Sequence, residues 1–191
     1  MDQPIAPFRI LLVCTGNICR SPILEVLLKR DIHNAGLDVA VESAGLICSG
    51  DRADEFAVNV MAARGIDLES HRSRTLGEVV LGDFDLILGL AREHVRSVAV
   101  EDSAVYRRMF TVKELVRRSG EIGKPQPPES FSVWLLRAQE ERTIRAHLGA
   151  SPLDDVADPH GSPISVFERS ADELGSLSEI LVSLMCDSSL R

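Results

Sequence analysis

A chain of 191 residues with 21 Lys and Arg against 29 Asp and Glu carries a formal charge of −8, and its 45% hydrophobic and 26% charged content is an ordinary globular balance. That length suits one domain with a real core, and the composition excludes wholesale disorder. The acidic excess argues against broad nucleic-acid binding, which needs surplus Lys and Arg, but leaves room for a small anion site.

Taken in chain order, the pattern alternates strands and helices. Ile10 to Val13 is a short continuous apolar run, as a parallel strand buried on both faces requires. A helix is predicted from Pro22 to about Ala35, with apolar Ile23, Val26 and Leu27 set against charged positions and Gly36 as its C′ residue. Val39 to Ser43 reads as a second strand, and Asp54 to Arg64 as a helix closed by Gly65. Asp85 to Leu88 reads as a third strand, followed by a helix over Glu93 to Val100. Met109 to Thr111 is a fourth strand, with a short helix over Val112 to Arg118. Ser119 to Glu129 holds Pro125, Pro127 and Pro128 and reads as an extended connector. Ser130 to Leu148 reads as a helix carrying Trp134, packed on the domain or serving as a lid or self-association surface. Ser165 to Met185 closes the chain as a long amphipathic helix. The alternation predicts a doubly wound α/β domain, one unit over residues 1–191 with an insertion at about 119–152.

Apolar runs reach only about four to six residues, against the roughly 20 of a spanning helix, so no membrane insertion is expected. The stretch from Met1 to Arg9 has neither a charged n-region nor a long apolar h-region. Cys14, Cys19, Cys48 and Cys186 form no disulfide framework and no CxxC motif, and His33, His71, His94, His147 and His160 show no metal-ligand spacing. A cytoplasmic, reducing location is the expectation, with no metal and no cofactor.

The segment Val13 to Pro22 carries the chemistry. Cys14 ends the first strand, at the sheet edge where doubly wound folds bind ligands. Ser21 and Pro22 read as N-cap and N1 of the following helix, whose free N–H groups and positive dipole end face the loop. Thr15, Gly16, Asn17, Ile18, Cys19 and Arg20 can curl into a nest of backbone amides that binds a tetrahedral dianion, and the Arg20 fork suits two phosphate oxygens. Helix N-termini and nearby cations favour a thiolate, so Cys14 is placed for in-line attack on phosphorus. Asp158, stiffened by Pro159, is the preferred general acid, and Asp154 or Asp155 serve equally by composition alone.

Cys14-x5-Arg20-Ser21 behind the first strand, with Asp158-Pro159 near the end, resembles the low-molecular-weight protein tyrosine phosphatase family. Ser43-Ala44-Gly45, His71-Arg72-Ser73-Arg74 and Phe84 to Leu88 extend the likeness, which covers roughly residues 8–118 and 154–186. The resemblance implies a four-stranded parallel sheet with helices on both faces, Cys14 as nucleophile through a phosphocysteine, Arg20 as phosphate clamp and Asp158 as general acid. It also implies loop support from Asn17 with Ser43 and His71, and a hydrogen bond from Ser21 to the Cys14 sulfur. The implied substrate is a phosphotyrosine-bearing protein, with inorganic phosphate or vanadate as site ligands.

Cys19 is placed as a reversible disulfide partner for Cys14, or as simple packing behind the loop. Ile18 stands where arginine phosphatases of the family carry Thr, and so favours an aromatic substrate. Two departures stand out: Leu46 to Arg52 holds no aromatic residue, and His160 replaces the Tyr or Phe that commonly follows the Asp-Pro pair. Arsenate reduction needs further relay thiols, and Cys48 and Cys186 read as isolated bystanders; a phosphate-binding regulatory module is the remaining alternative.

Overall fold

The computed structural model describes residues 6–140, 142–143, 147–187 and 189–190. Four parallel strands, β1 (Phe8–Cys14), β2 (Val39–Gly45), β3 (Leu86–Gly89) and β4 (Met109–Thr111), lie in the order β2-β1-β3-β4. The pleat sends Ile10, Leu12 and Cys14 to one face and Leu11 and Val13 to the other, where they join two separate buried clusters. Both faces of β1 are therefore dry, which is why its sequence is a continuous apolar run rather than an alternating one.

Helices α1 (Arg20–Ala35), α2 (Glu55–Ala62), α4 (Val112–Ile122), α5 (Phe131–Ala138) and α6 (Ile164–Cys186) share the first cluster, while α3 (Arg92–Glu101) covers the second through Val95 and Val98. This is the expected doubly wound fold. Gly36 ends α1 in the left-handed region, φ 66°, with its N–H on the His33 carbonyl.

The register matters for the site. Cys14 lies opposite Gly45, and Val13 opposite both Ala44 and Gly89, so the carboxyl ends of three strands finish at one edge. β1 leads to β2 on one side while β3 lies on the other, which opens the crevice at the end of β1.

The predicted helices differ from the observed ones mainly at α1 and around residues 119–148. Helix α1 starts at Arg20 rather than Pro22, with Cys19 as N-cap and no side-chain cap. Ser21 therefore is not the cap; its hydroxyl is used elsewhere. Helix α4 runs four residues past Arg118 and stops at Gly123, φ 79°.

Helix α5 stops at Ala138, well short of Leu148; residues 141 and 144–146 of that prediction lie outside the described residues. Arg142 turns inward instead. Its guanidinium holds Glu114 at 2.7 and 2.8 Å and lies 4.1 Å over the Phe110 ring, beside the buried His147–Glu114 contact of 3.0 Å. A charge buried this deeply needs its partner, because an unpaired buried charge is strongly destabilising.

Trp134 is fully buried, stacks on Phe131 at 5.7 Å and donates its indole N–H to the Gly123 carbonyl. Phe131 in turn meets Phe8, at the amino end of β1, edge-on at 5.6 Å. A seven-residue strand spans about 20 Å, so this aromatic stack sits at the opposite end of β1 from Cys14 and forms no wall of the site.

Candidate active site

Cys14 is buried at the mouth of β1, and its Sγ lies 2.9 Å from Ser21 Oγ and accepts the Asn17 N–H at 3.2 Å. The first-turn amides of α1, which have no partner four residues back, face the same loop. Arg20 is 4% exposed; its Nη2 lies 2.5 Å from Asp158 Oδ2 and 3.1 Å from Thr15 Oγ1, and Nη1 reaches the Val156 carbonyl at 3.3 Å.

Asn17 holds the loop's shape. It takes the left-handed conformation, φ 53°, which Asn tolerates better than most residues. Its amide nitrogen donates to Ser21 Oγ at 2.9 Å and Ser43 Oγ at 2.7 Å, and its Oδ1 accepts the Arg74 N–H at 3.0 Å. That orientation gives Ser21 an acceptor role toward Asn17 and leaves its hydroxyl hydrogen for the Cys14 sulfur. His71 Nε2 lies 2.7 Å from the Asn17 carbonyl. The expected set of Asn17, Ser21, Ser43 and His71 therefore meets around the loop.

Three members of this shell were not legible as site residues. Glu25 takes the Ser43 hydroxyl at 2.5 Å, Arg74 donates to the Ser43 carbonyl at 2.8 Å, and His94 Nε2 meets Thr15 Oγ1 at 3.1 Å. Their sequence positions give no spacing signal, although Arg74 lies in the His71–Arg74 stretch already singled out. Burial, with Arg20 and Arg96 nearby, pushes His94 down to about 3, so it stays neutral beneath the loop. The Glu93 carboxylate 3.5 Å from His94 Nε2 is largely exposed and solvated, and does not offset that burial. Gly45 is required by contact: a Cβ there would come within 2.9 Å of backbone atoms of Thr15, Gly16 and Asn17.

These residues enclose a cavity of about 150 Å³. Buried Cys14 and Arg20 line it, Ile18 and the exposed Ile47 supply apolar walls, and Thr15, Gly16, Asp158, His160, Cys19 and Cys48 complete it. Asn17 does not line the cavity; it supports from behind. Neither Phe, Tyr nor Trp lines it among the described residues, in keeping with the two departures noted from sequence. Cys48 is not the bystander expected: its sulfur is in the wall, and burial and Asp51 push its thiol up. Burial, reinforced by Asp54 and Asp158, also pushes the Cys19 thiol well up. Cys186 lies exposed at the end of α6.

Asp154 and Asp155 do not reach the cavity. Asp154 is buried between Arg92 and Arg117, at 2.7 and 3.1 Å, and Asp155 accepts the backbone N–H groups of Arg92 and Ser151. Both anchor the loop that carries Asp158.

Residues 9–131 match the family model described as low molecular weight phosphotyrosine protein phosphatase. The protein-arginine-phosphatase of Bacillus subtilis strain 168 is 31% identical over 88% of this chain and 90% of its own length. The chain belongs to the low molecular weight phosphotyrosine protein phosphatase family. The low molecular weight protein-tyrosine-phosphatase Etp of Escherichia coli K12 is 43% identical over a shorter stretch, 47% of this chain and 58% of its own. The crystal structure of the low molecular weight protein tyrosine phosphatase from T. tengcongensis superposes with a TM-score of 0.70 at 31% identity, covering 92% of this chain and 98% of that one. Membership makes this protein a phosphatase, and the four-stranded parallel sheet is the fold it shares with those structures. Among the described residues no helix is long and apolar enough to cross a membrane.

Proposed function

We propose that this phosphatase hydrolyses phosphotyrosine in proteins, with Cys14 as nucleophile, Arg20 as phosphate clamp and Asp158 as general acid. The observation that carries the reading is the convergence of Cys14, Arg20 and Asp158 on one cavity with Ile18 and Ile47 as its apolar walls. The substrate phosphate takes Arg20 and the loop amides of residues 15–20, and the Cys14 thiolate attacks phosphorus in line. An S–P bond forms as the P–O bond to the phenol breaks, and Asp158 gives its proton to the departing oxygen. A water then attacks phosphorus while Asp158 takes its proton. The S–P bond breaks, phosphate leaves, and Ser21 receives the sulfur anion with a hydrogen bond.

One relative favours a second reading, since it is named a protein-arginine-phosphatase. Ile18 weighs against phosphoarginine, because its side chain offers a guanidinium no hydroxyl. Ile18 and Ile47 instead present flat apolar contact to a phenyl ring, without the additional aromatic contact worth about 0.5–1.5 kcal/mol. Low affinity for free aryl phosphates, with recognition resting on the protein substrate, is the corollary. The 119–152 insertion acts as a brace for the far end of a single domain, supported by Phe131 and Trp134 in the main buried cluster. A cytoplasmic location and a reversible Cys14–Cys19 redox response belong to the same reading.

The deciding experiment is phosphate release from phosphotyrosine, phosphoarginine and phosphoserine peptides, run beside thiol oxidation with arsenate as the oxidant, with Cys14→Ser as control. Phosphotyrosine turnover that vanishes in Cys14→Ser while vanadate still binds is the expected result. Preference for phosphoarginine, or substantial turnover by Cys14→Ser, overturns it.

A further inference from the structure

Three side chains from distant parts of the chain meet at the edge of the cavity: Cys19 and His160 line it, and Asp54 and His160 line the groove beside it. Cys19 stands at the start of α1, Asp54 caps α2, and His160 follows the Asp158-Pro159 pair. Cys19 Sγ lies 3.9 Å from His160 Nδ1, and His160 Nδ1 lies 3.3 Å from Asp54 Oδ2. All three atoms fall within 4.8 Å of one another, the one such group among the described residues. Asp54 is held in place independently: Oδ1 accepts the Phe56 N–H at 2.9 Å, and its own N–H donates to the Ile18 carbonyl at 2.9 Å, which leaves Oδ2 turned to His160. The His160 side chain is 63% exposed, so the group is reachable from solvent although Cys19 is buried.

We propose that Cys19, Asp54 and His160 form a zinc site that holds one Zn²⁺ at the edge of the phosphate cavity and reversibly inhibits the enzyme. Thiolate, imidazole nitrogen and carboxylate oxygen form a donor set suited to zinc and poorly suited to magnesium or calcium. With Zn–S near 2.3 Å and Zn–N or Zn–O near 2.0–2.2 Å, a tetrahedral ion sets neighbouring donors about 3.4–3.6 Å apart. The 3.9 and 3.3 Å separations lie on either side of that range, within reach of a small side-chain rotation.

Binding exchanges a proton for the metal: the Cys19 S–H bond breaks, an S–Zn bond forms, the proton passes to solvent, and nothing is oxidised or reduced. One thiolate and one carboxylate neutralise the ion, and a water fills the fourth position. The ion ties the segment carrying Asp158 to the phosphate loop and occupies the cavity edge shared by Cys19 and His160. The inhibitory consequence rests on the proposed phosphatase mechanism; the metal site does not.

The test is calorimetry with zinc chloride alone on the reduced full chain, with cobalt(II) as a spectroscopic substitute. One metal per chain and a sulfur-to-cobalt charge-transfer absorption are expected. Cys19→Ala removes that absorption, His160→Ala, a change at an exposed position that leaves folding intact, weakens zinc at least tenfold, and Cys14→Ser keeps both. Absence of saturable binding, zinc affinity unchanged in His160→Ala, or an absorption that follows Cys14 or Cys48 instead of Cys19 overturns the site. Zinc inhibition of aryl phosphate turnover, referred to each variant's own metal-free rate, should need at least tenfold more zinc in His160→Ala. Equal inhibition in both overturns the regulatory role. Loss of turnover in metal-free protein with zinc binding intact overturns the phosphatase mechanism and leaves the site standing.

Discussion

Arg20 Nη2 lies 2.5 Å from Asp158 Oδ2, so the cation assigned to the phosphate and the carboxylate assigned to the leaving group hold one another. Arg20 is buried, whereas the Asp158 side chain is 46% exposed, so the carboxylate is the partner free to move. In the proposed mechanism an incoming phosphate would replace that carboxylate on Arg20 and release Asp158 toward the leaving oxygen. Asp158→Ala should slow esters with poor leaving groups by about 10²–10⁴ and those with good ones far less. Vanadate should bind Asp158→Ala at least as tightly as the parent. Equal slowing across leaving groups, measured as kcat against phenol acidity, reassigns the acid.

Asn17 makes three side-chain hydrogen bonds while holding a left-handed backbone. Asn17→Ala loses all three and adds backbone strain, for a total cost of about 2–4 kcal/mol, or roughly 5–15 °C in Tm for a chain of this size. Asn17→Gly relieves the strain alone. Calorimetry should therefore rank parent, then Gly, then Ala, with phosphate affinity falling in the same order.

Ile18 lines the cavity wall against which the proposed substrate's ring would lie. Ile18→Thr exchanges apolar contact for a hydroxyl. The ratio of phosphoarginine to phosphotyrosine kcat/KM should rise at least tenfold, read by parallel phosphate-release assays. An unchanged ratio removes Ile18 from the specificity argument.

Two buried groups set the acid limit of stability. His94 ordinarily titrates near 6.5 and is held near 3 by burial, with Arg20 and Arg96 adding to it. The unfolded chain then binds more protons than the folded one between those values, so stability falls as pH drops from about 6.5 toward 3. Burial pushes Glu114 up, but hydrogen bonds from His147 and Arg142 more than offset it and bring it down to about 2. Its contribution is lost as pH falls below about 4.5. Denaturant midpoints should decline below pH 6.5 and more steeply below 4.5, and His94→Asn should flatten the upper part of that slope.

Cys14 and Cys19 line the same cavity. In the proposed redox response peroxide would convert a Cys14 thiolate to a sulfenic acid, which would condense with the Cys19 thiol to give a disulfide and water. Dithiothreitol should restore activity after peroxide treatment in the parent and restore much less in Cys19→Ala. Recovery that depends on Cys48 instead transfers the protective role to that residue.

The sequence by itself determined the doubly wound alternation, since β1 must be apolar on both faces to lie at the centre of a parallel sheet. It also determined the phosphate loop, because the spacing from Cys14 to Arg20 and the helix that follows are local in the chain. Pro159 and the family resemblance already favoured Asp158 over Asp154 and Asp155, and the tertiary contacts supply the physical separation of the three. Arg92 and Arg117 bind Asp154, and backbone amides bind Asp155, while Asp158 reaches Arg20. The tertiary structure alone put Cys48 in the cavity wall, His94 under Thr15, and Cys19, Asp54 and His160 together, through contacts across as many as 141 positions of chain. It likewise ends α5 at Ala138 and pairs Arg142, predicted inside that helix, with the distant Glu114. Local spacing is written in neighbouring residues; partnership between distant side chains is decided only when the sheet brings its strand ends to one edge.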